Sequence, residues 1–400
     1  MIRCKIQILF ILVFLFFLTS ITSAQFVELF EGDPASGWQT RTGDGGAKSE
    51  IHFRDGYGRI IVDGTGDDRN VWWAIMETTV SGDLDLELLA RSGYELRVEA
   101  RIRSSHAPRR INLHFNTQRT TDFHSHLMEF DIPDAGNWHT ISMTTDGFDG
   151  RPGDTVNSHI ALMDWGRQIY HLDVDYFKVD VVNKEEADPD LGEQVVYPPP
   201  TVRPDNFTYS EPAFQAAMID RRYPGVTLSG WRDGDRTVLT TDDTKTIILR
   251  WDLEPYQDRT AVDYGMLELH PYAYYQATGT GLHEFDQVRL VEILDGDPEW
   301  IREEVTWKSF TLGRCIDEVF NTQMIVDIDM PEQAGEEVIR LAIPRPVIQR
   351  MLDGRTQGIA IYPLGALHAS FYSGIQDPQK EPRLYMNLLN NSPNNQLNTR

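Results

Sequence analysis

Between residues 94 and 103, Leu96, Val98, Ala100 and Ile102 alternate with Glu95, Arg97, Glu99, Arg101 and Arg103. This period of two predicts a strand with one face in a core and one in water. The same alternation marks residues 52–62, 111–115, 124–131 and 176–182, and polar turn clusters separate the segments: Gly64-Thr65-Gly66-Asp67, Pro133-Asp134-Ala135-Gly136-Asn137 and Asp149-Gly150-Arg151-Pro152-Gly153-Asp154. Helical periodicity is clear only over 344–352, where Val347, Ile348, Met351 and Leu352 fall on one face. Short strands with polar turns predict an all-β chain of antiparallel β-sandwiches, jelly-roll-like.

The first 24 residues break this pattern. An apolar run from Ile6 to Ile21 follows Arg3 and Lys5 and ends at Thr22-Ser23-Ala24, the layout of a secretory signal peptide. The expectation is a secreted protein, extracellular or periplasmic, starting near Gln25, with no membrane span once the leader is removed. Cys4 leaves with it and Cys315 stands alone, so no internal disulfide is expected. What remains exceeds one usual core, which predicts two domains. An acidic stretch with Pro198-Pro199-Pro200 marks the join, giving a sandwich over 25–182, a linker over 183–206, a sandwich over 207–390 and a tail over 391–400.

Charge narrows the partners. A net charge of −24 argues against nucleic acid, which demands concentrated positive charge. Set in this acidic chain, Arg97, Arg101, Arg103, Arg109, Arg110 and Arg119 form a basic island suited to carboxylate or sulfate groups, or else to ion pairs with nearby Glu95, Glu99 or Asp122. Alongside stand His114, Asn116, His124 and His126. With 123–130 as a strand, His124 and His126 project to one face and Glu129 to the other. Such a cluster could bind an acidic sugar, ligate a metal or abstract a proton. Eliminative cleavage of a uronate glycan would use Arg119 or Asn116 to neutralise the substrate carboxylate and His124, His126 or Tyr170 as base and acid. No Gly-x-Ser-x-Gly elbow, phosphate loop or dinucleotide fingerprint appears, so no organic cofactor is expected.

Aromatic residues supply stacking planes. Tyr272, Tyr274 and Tyr275, beside His270 and His283, form one candidate surface, with core edge as the alternative. In Trp72-Trp73 successive side chains of a strand point to opposite faces, so one ring enters the core and at most one meets a ligand. Trp165, in the turn Asp164-Trp165-Gly166-Arg167, is expected to be exposed. Trp251 and Trp307 are read as core.

Two resemblances accompany these patterns. Leu249-Arg250-Trp251-Asp252-Leu253, Asp297-Pro298-Glu299-Trp300 with Val305-Thr306-Trp307, Gly358-Ile359-Ala360-Ile361 and Phe371-Tyr372-Ser373 resemble the secreted DNRLRE-type β-sandwich over 214–390, with an added insertion over 272–284. That family stands beside carbohydrate-active domains, and some members resemble modules for acidic polysaccharides. Phe30-Glu31-Gly32 with Gly37-Trp38, the strand 95–101 and the closing run 172–179 make residues 25–182 resemble a galactose-binding-like jelly roll. That resemblance implies a structural calcium between Glu31 and Asp175, whose carboxylate oxygens suit the ion. The combined expectation is binding of an extracellular acidic polysaccharide through Arg101, Arg103, His114, Asn116, Trp165, Tyr272, Tyr274 and Tyr275. The alternative is a polysaccharide lyase using His124, His126, Arg119 and Tyr170, and a matrix structural protein would bind no sugar.

Overall fold

The alternating segments pair antiparallel throughout. The computed structural model describes residues 25–31, 37–54, 56–145, 147–276, 287–330 and 337–390; the leader, the second half of the 272–284 insertion with His283, and the tail lie outside these. The first sandwich contains β1 (Gln25–Glu28), β2 (Gln39–Gly43), β3 (Lys48–Arg54), β4 (Tyr57–Asp63), β5 (Trp73–Thr79), β6 (Tyr94–Ser104), β7 (Arg109–Thr117), β8 (Leu127–Ile132), β9 (His139–Thr145), β10 (Val156–Met163), β11 (Ile169–Asn183) and β12 (Glu193–Val195). One sheet runs β3-β4-β11-β6-β9, with β1 added on β11; the other runs β12-β8-β7-β10-β5-β2. Leu96, Val98, Ala100 and Ile102 of the first meet Ile111, Leu113, Phe115, Ile160 and Leu162 of the second in one buried core. The three turn clusters fall between β4 and β5, β8 and β9, and β9 and β10.

One strand starts later than its alternation suggests. β8 begins at Leu127, so His124 and His126 precede it instead of sharing its face. The cause is local: the Asp122 carboxylate accepts from the His124 N–H at 3.0 Å, and the Asp122 carbonyl from the Ser125 hydroxyl at 2.8 Å, closing a turn that competes with the ladder.

In the second sandwich a five-stranded sheet, in the order Gln215–Asp220, Lys245–Arg250, Gly358–Leu364, Gln287–Ile293 and Phe320–Asp329, is buried on both faces. Ile247, Leu249, Leu290 and Ile361 enter the main core, and Ile248, Val291 and Ala360 a smaller one under Trp300 and Phe310. This explains the unbroken run Ile247-Ile248-Leu249, since a strand covered on both sides has no water-facing positions to alternate. The expected helix forms at Arg345–Leu352 and buries Val347, Ile348, Met351 and Leu352.

The acidic stretch packs on the first sandwich over 188–195 and then meets the second, where the Val196 N–H donates to Tyr264 and the Asn206 carbonyl accepts from Asn387. The Arg97 guanidinium donates to the Asp188 and Pro189 carbonyls at 2.5 and 3.0 Å, Leu191 bridges to Ser142, and β12 pairs with β8. The two sandwiches meet over a buried polar junction. Arg350 spans it, its guanidinium donating twice to Asp131 (2.7 and 3.1 Å) and twice to Glu292 (2.8 and 3.0 Å), while Glu292 also accepts from Asn321 and Thr356. Arg289 likewise joins Asp327 (2.7 Å) to Asp164 (3.0 Å) and donates to the Asn70 carbonyl. Gly166 has φ +116°, and a Cβ there would lie 2.2 Å from Thr322 Oγ1 across the junction, so this turn needs glycine. Among the described residues no helix is long and apolar enough to cross a membrane.

Candidate functional site

The outer face of the β12-β8-β7-β10-β5-β2 sheet is polar yet largely buried. Alternation on β7 sends Ile111, Leu113 and Phe115 inward and Asn112, His114 and Asn116 outward. The ladder registers then set Glu77, His159, His114 and Leu127 side by side on β5, β10, β7 and β8, with Ile75, Ala161, Asn112 and Glu129 in the next row and Trp73 opposite Met163 beyond. Asn112, His114, Asn116, His159, Glu77 and Glu129 are each under a tenth exposed.

A chain of hydrogen bonds ties part of this floor. Arg41 donates to Glu77, which stands 3.4 Å from His159 Nδ1; His159 Nε2 lies 2.8 Å from Asn116 Nδ2, and Asn116 Oδ1 accepts from Asn157 at 3.3 Å. Beside it the His114 ring lies 5.1 Å from that of His159, and His114 Nε2, fully enclosed, has no hydrogen-bond partner. Burial, with the neighbouring His159, His126 and His124, pushes the His114 imidazole down to about 3; burial, with Arg41, pushes His159 down to about 4. Both rings are therefore neutral near pH 7, each able to give or accept one hydrogen bond per nitrogen.

Half-exposed aromatic rings border this floor on both sides. Along one edge Trp73 lies across β2, where a Cβ on Gly43 would fall 2.2 Å from its Cζ2; glycine is what lets the ring lie flat. Its partner Trp72 is buried, donating to the Gly166 carbonyl at 3.0 Å, so the pair divides between core and surface as the strand period requires. Along the other edge Phe123, 56% exposed, packs against His114, and His124 stacks on Tyr197 with ring centroids 5.2 Å apart. From β5 to β8 is three strand spacings, about 14 Å. Accessible rings on either side of a polar floor offer planes on which the C–H faces of sugar rings can stack.

The remaining sequence candidates fall elsewhere. Most of the basic island is neutralised: Arg97 pairs with Asp190, Arg101 with Asp175, Arg103 and Arg59 with Asp173, Arg110 with Glu129, and Arg119 with Asp149 and Asp154, while Arg109 is buried and donates to the Pro108 carbonyl and Asn321. Burial alone would raise the Asp173 carboxyl, but Arg59 and Arg103 outweigh it and hold it below its ordinary range. Arg103 also lies over the Trp138 ring at 4.5 Å. Trp165, expected to be exposed, is wholly buried and donates to the Arg110 carbonyl at 2.9 Å, because its turn sits in the junction with the second sandwich. Tyr170 is also wholly buried, packed against Trp72, Trp165 and His106, so it cannot serve as a proton donor to a glycan. Arg119 and His126 line one shallow depression of about 210 Å³, but His124 does not, and the Arg119 guanidinium is already held by two carboxylates. The lyase constellation is thus not assembled.

The calcium expectation meets a similar obstacle. Asp175 is engaged by Arg101 at 2.8 Å and Glu31 is exposed; among the described residues no three His, Cys, Asp or Glu side chains are grouped to hold a metal ion. On the second sandwich Tyr275 is 53% exposed and stacks on His368 at 4.5 Å, Tyr272 meets Tyr372 edge-on, and Tyr274 turns to the core. Residue-by-residue reading missed Glu77, Asn112 and His159. The alternation Val156, Ser158, Ile160, Leu162 against Asn157 and His159 would have put His159 on the outward face, but only the β7–β10 register sets it beside His114.

No family model matches the chain, and no curated protein matches it. Neither sequence resemblance is carried further by these comparisons. Among solved structures, a family 11 carbohydrate-binding module from Clostridium thermocellum, in complex with a β-1,3-1,4-mixed-linked tetrasaccharide, is 17% identical over 39% of this chain and 95% of that one, with a TM-score of 0.27. The tandem CBM22-1–CBM22-2 domain of Paenibacillus barcinonensis Xyn10C is 10% identical over 93% of this chain and 100% of that one, also at 0.27. The Endo-D glycoside hydrolase domain of Streptococcus pneumoniae is 9% identical over 88% and 44%, at 0.26. At such scores these likenesses carry no argument about what this chain binds; its all-β sandwich architecture stands on its own strands and registers.

Proposed function

We propose that the protein is a polysaccharide-binding protein whose first sandwich holds a glycan along the outer face of the β12-β8-β7-β10-β5-β2 sheet. The observation that carries this reading is the set of accessible aromatic rings, Trp73 on one side and Phe123 and Tyr197 on the other, across a floor of neutral imidazole and amide groups. The buried floor sets the shape of the face, and the half-exposed Trp73 with the exposed Phe123 and Tyr197 supply the planes that the C–H faces of a glycan can reach. Because the arginines are engaged with carboxylates, the reading rests on the glycan's hydroxyls and C–H faces, and a uronate chain would be held through these and not through its charges. In this reading the expected leader over residues 1–24 puts the ligand outside the cell.

The test is gel retardation and calorimetry of residues 25–400 with neutral chains (xylan, β-glucan) and uronate chains (alginate, pectin), while following ultraviolet absorbance for new double bonds. Retardation without absorbance is expected, and Trp73→Ala should weaken it about tenfold, the upper range for one stacking plane. No retardation by any chain, or retardation indifferent to both Trp73→Ala and Phe123→Ala, would remove this face from the account.

A further inference from the structure

A second cavity lies where the two sandwiches meet, away from the histidine floor. It encloses about 340 Å³ and draws its lining from both domains: the 68–70 and 166–167 turns of the first, and from the second the Asp242–Asp243 turn, Trp307, Asp317 and Tyr362. The volume falls at the lower end of small-molecule sites, suited to one or two rings and too short for an extended chain.

Its wall chemistry narrows the ligand. Trp307, read from the sequence as core, is half-buried at the first position of the helix Trp307–Thr311, with Thr306 capping the helix through its side chain. Tyr362 supplies a second aromatic plane, and burial pushes its hydroxyl up to about 12, so it stays protonated and able to donate. Around these rings the charges alternate: Arg167 donates to the Asp68 carbonyl, Arg221 to the Asp243 carbonyl, and Asp317 accepts from Gln168. Neither sign dominates, so the cavity selects no anion or cation, yet it offers donors and acceptors all round two aromatic planes. That combination fits a polyol ring.

We infer that this interdomain cavity is a second carbohydrate site, which takes the end of a glycan or a free mono- or disaccharide. The ligand class rests on the reading of the first sandwich; the location does not. A site for a chain end, in addition to a face that holds the chain's length, would let one polymer engage the protein at two points, raising retention through effective concentration.

The experiment is titration of residues 25–400 with a disaccharide and with the matching polymer, by calorimetry and by tryptophan fluorescence. Three variants are compared: Trp307→Phe and Asp243→Ala in the cavity, and Trp73→Ala on the outer face. Asp243 is largely exposed, so its replacement leaves the fold intact, and melting curves verify this for Trp307→Phe. The expected result is that disaccharide affinity falls about fivefold or more in a cavity variant and is unchanged in Trp73→Ala. Disaccharide binding that only Trp73→Ala weakens, or that no cavity variant changes, overturns the inference. So does polymer binding with no disaccharide binding at millimolar concentration, while leaving the outer-face reading intact. Disaccharide binding through the cavity with no polymer retention would instead sink the outer face and keep the cavity.

Discussion

Two buried polar layers in this molecule differ in chemistry: paired charges at the junction, and neutral imidazoles and amides on the outer face of the first sandwich. At the junction, Arg350 meets Asp131 and Glu292 with four hydrogen bonds, and Glu292 gains two more from Asn321 and Thr356. On the outer face of the first sandwich, His159 is tied to Asn116, but His114 Nε2 is enclosed with nothing to bond. Buried charges met by several bonds specify a structure, whereas a neutral floor edged by accessible aromatic rings leaves planes for a ligand; an enclosed orphan atom alone does not separate the two layers, since Arg109 Nε at the junction also lacks a partner. The junction therefore fixes how the sandwiches meet, and the histidine floor is the candidate for recognition.

The strongest test of that distinction is Arg350→Ala. It leaves Asp131 and Glu292 buried without their counter-charge, and breaking a buried pair from one side costs about 3–5 kcal/mol. Denaturant unfolding should show that loss, with the two sandwiches ceasing to unfold together. A change within error of zero would mean that the junction does not couple them. The companion replacement Arg350→Met, which removes the charge but keeps much of the side-chain bulk, should differ little from Arg350→Ala, because both carboxylates remain unpaired.

The histidine floor gives a smaller effect with a defined sign. Facing the two rings are Glu77 and Arg41 from β5 and β2 and His124 and His126 from the turn before β8. Unfolded histidine takes up a proton near pH 6.5, whereas His114 and His159 resist until about 3 and about 4. Above pH 6.5 both states are neutral and the pair adds no pH dependence. As pH falls from 6.5 toward 4, the unfolded chain binds protons that the folded chain refuses, so stability drops, by on the order of a few kcal/mol. His159→Gln should flatten that slope, whereas the parent slope retained in both His159→Gln and His114→Gln would show that these rings are not the source.

How much of this could be read from the sequence follows from the range of each signal. The core positions Leu96, Val98, Ala100 and Ile102 are set by alternation within one strand, and the helix with Val347, Ile348, Met351 and Leu352 by its own period; both are local and both appear as read. The division of Trp72 and Trp73 between core and surface needed only the strand period. Trp165 and Tyr170 defeated the reading because their burial depends on Thr322 and its neighbours, more than 150 residues away, closing over the end of the first sandwich. His159 went unremarked because its partner His114 stands on a different strand, and only the β7–β10 register brings them opposite each other. The arginines were legible as a cluster but not as a spent one, since Asp173 and Asp175 reach Arg103 and Arg101 only across the β6–β11 ladder.

Arg119 sets the lower end of the scale and sharpens the contrast from outside. Its guanidinium is held by Asp154 at 2.5 Å and Asp149 at 3.0 Å, and these carboxylates push its ionisation further up than that of a free arginine, so it is satisfied like the junction arginines. Unlike them it is exposed, and water can take over each bond it loses, as for most surface ion pairs. Arg119→Ala should therefore leave both the melting temperature and polymer retardation unchanged within error. Were Arg119→Ala to abolish retention of alginate or pectin while sparing xylan, a guanidinium already shared by two carboxylates would have to exchange them for a uronate. The shallow depression beside His126, and not the histidine floor, would then be where charge is read.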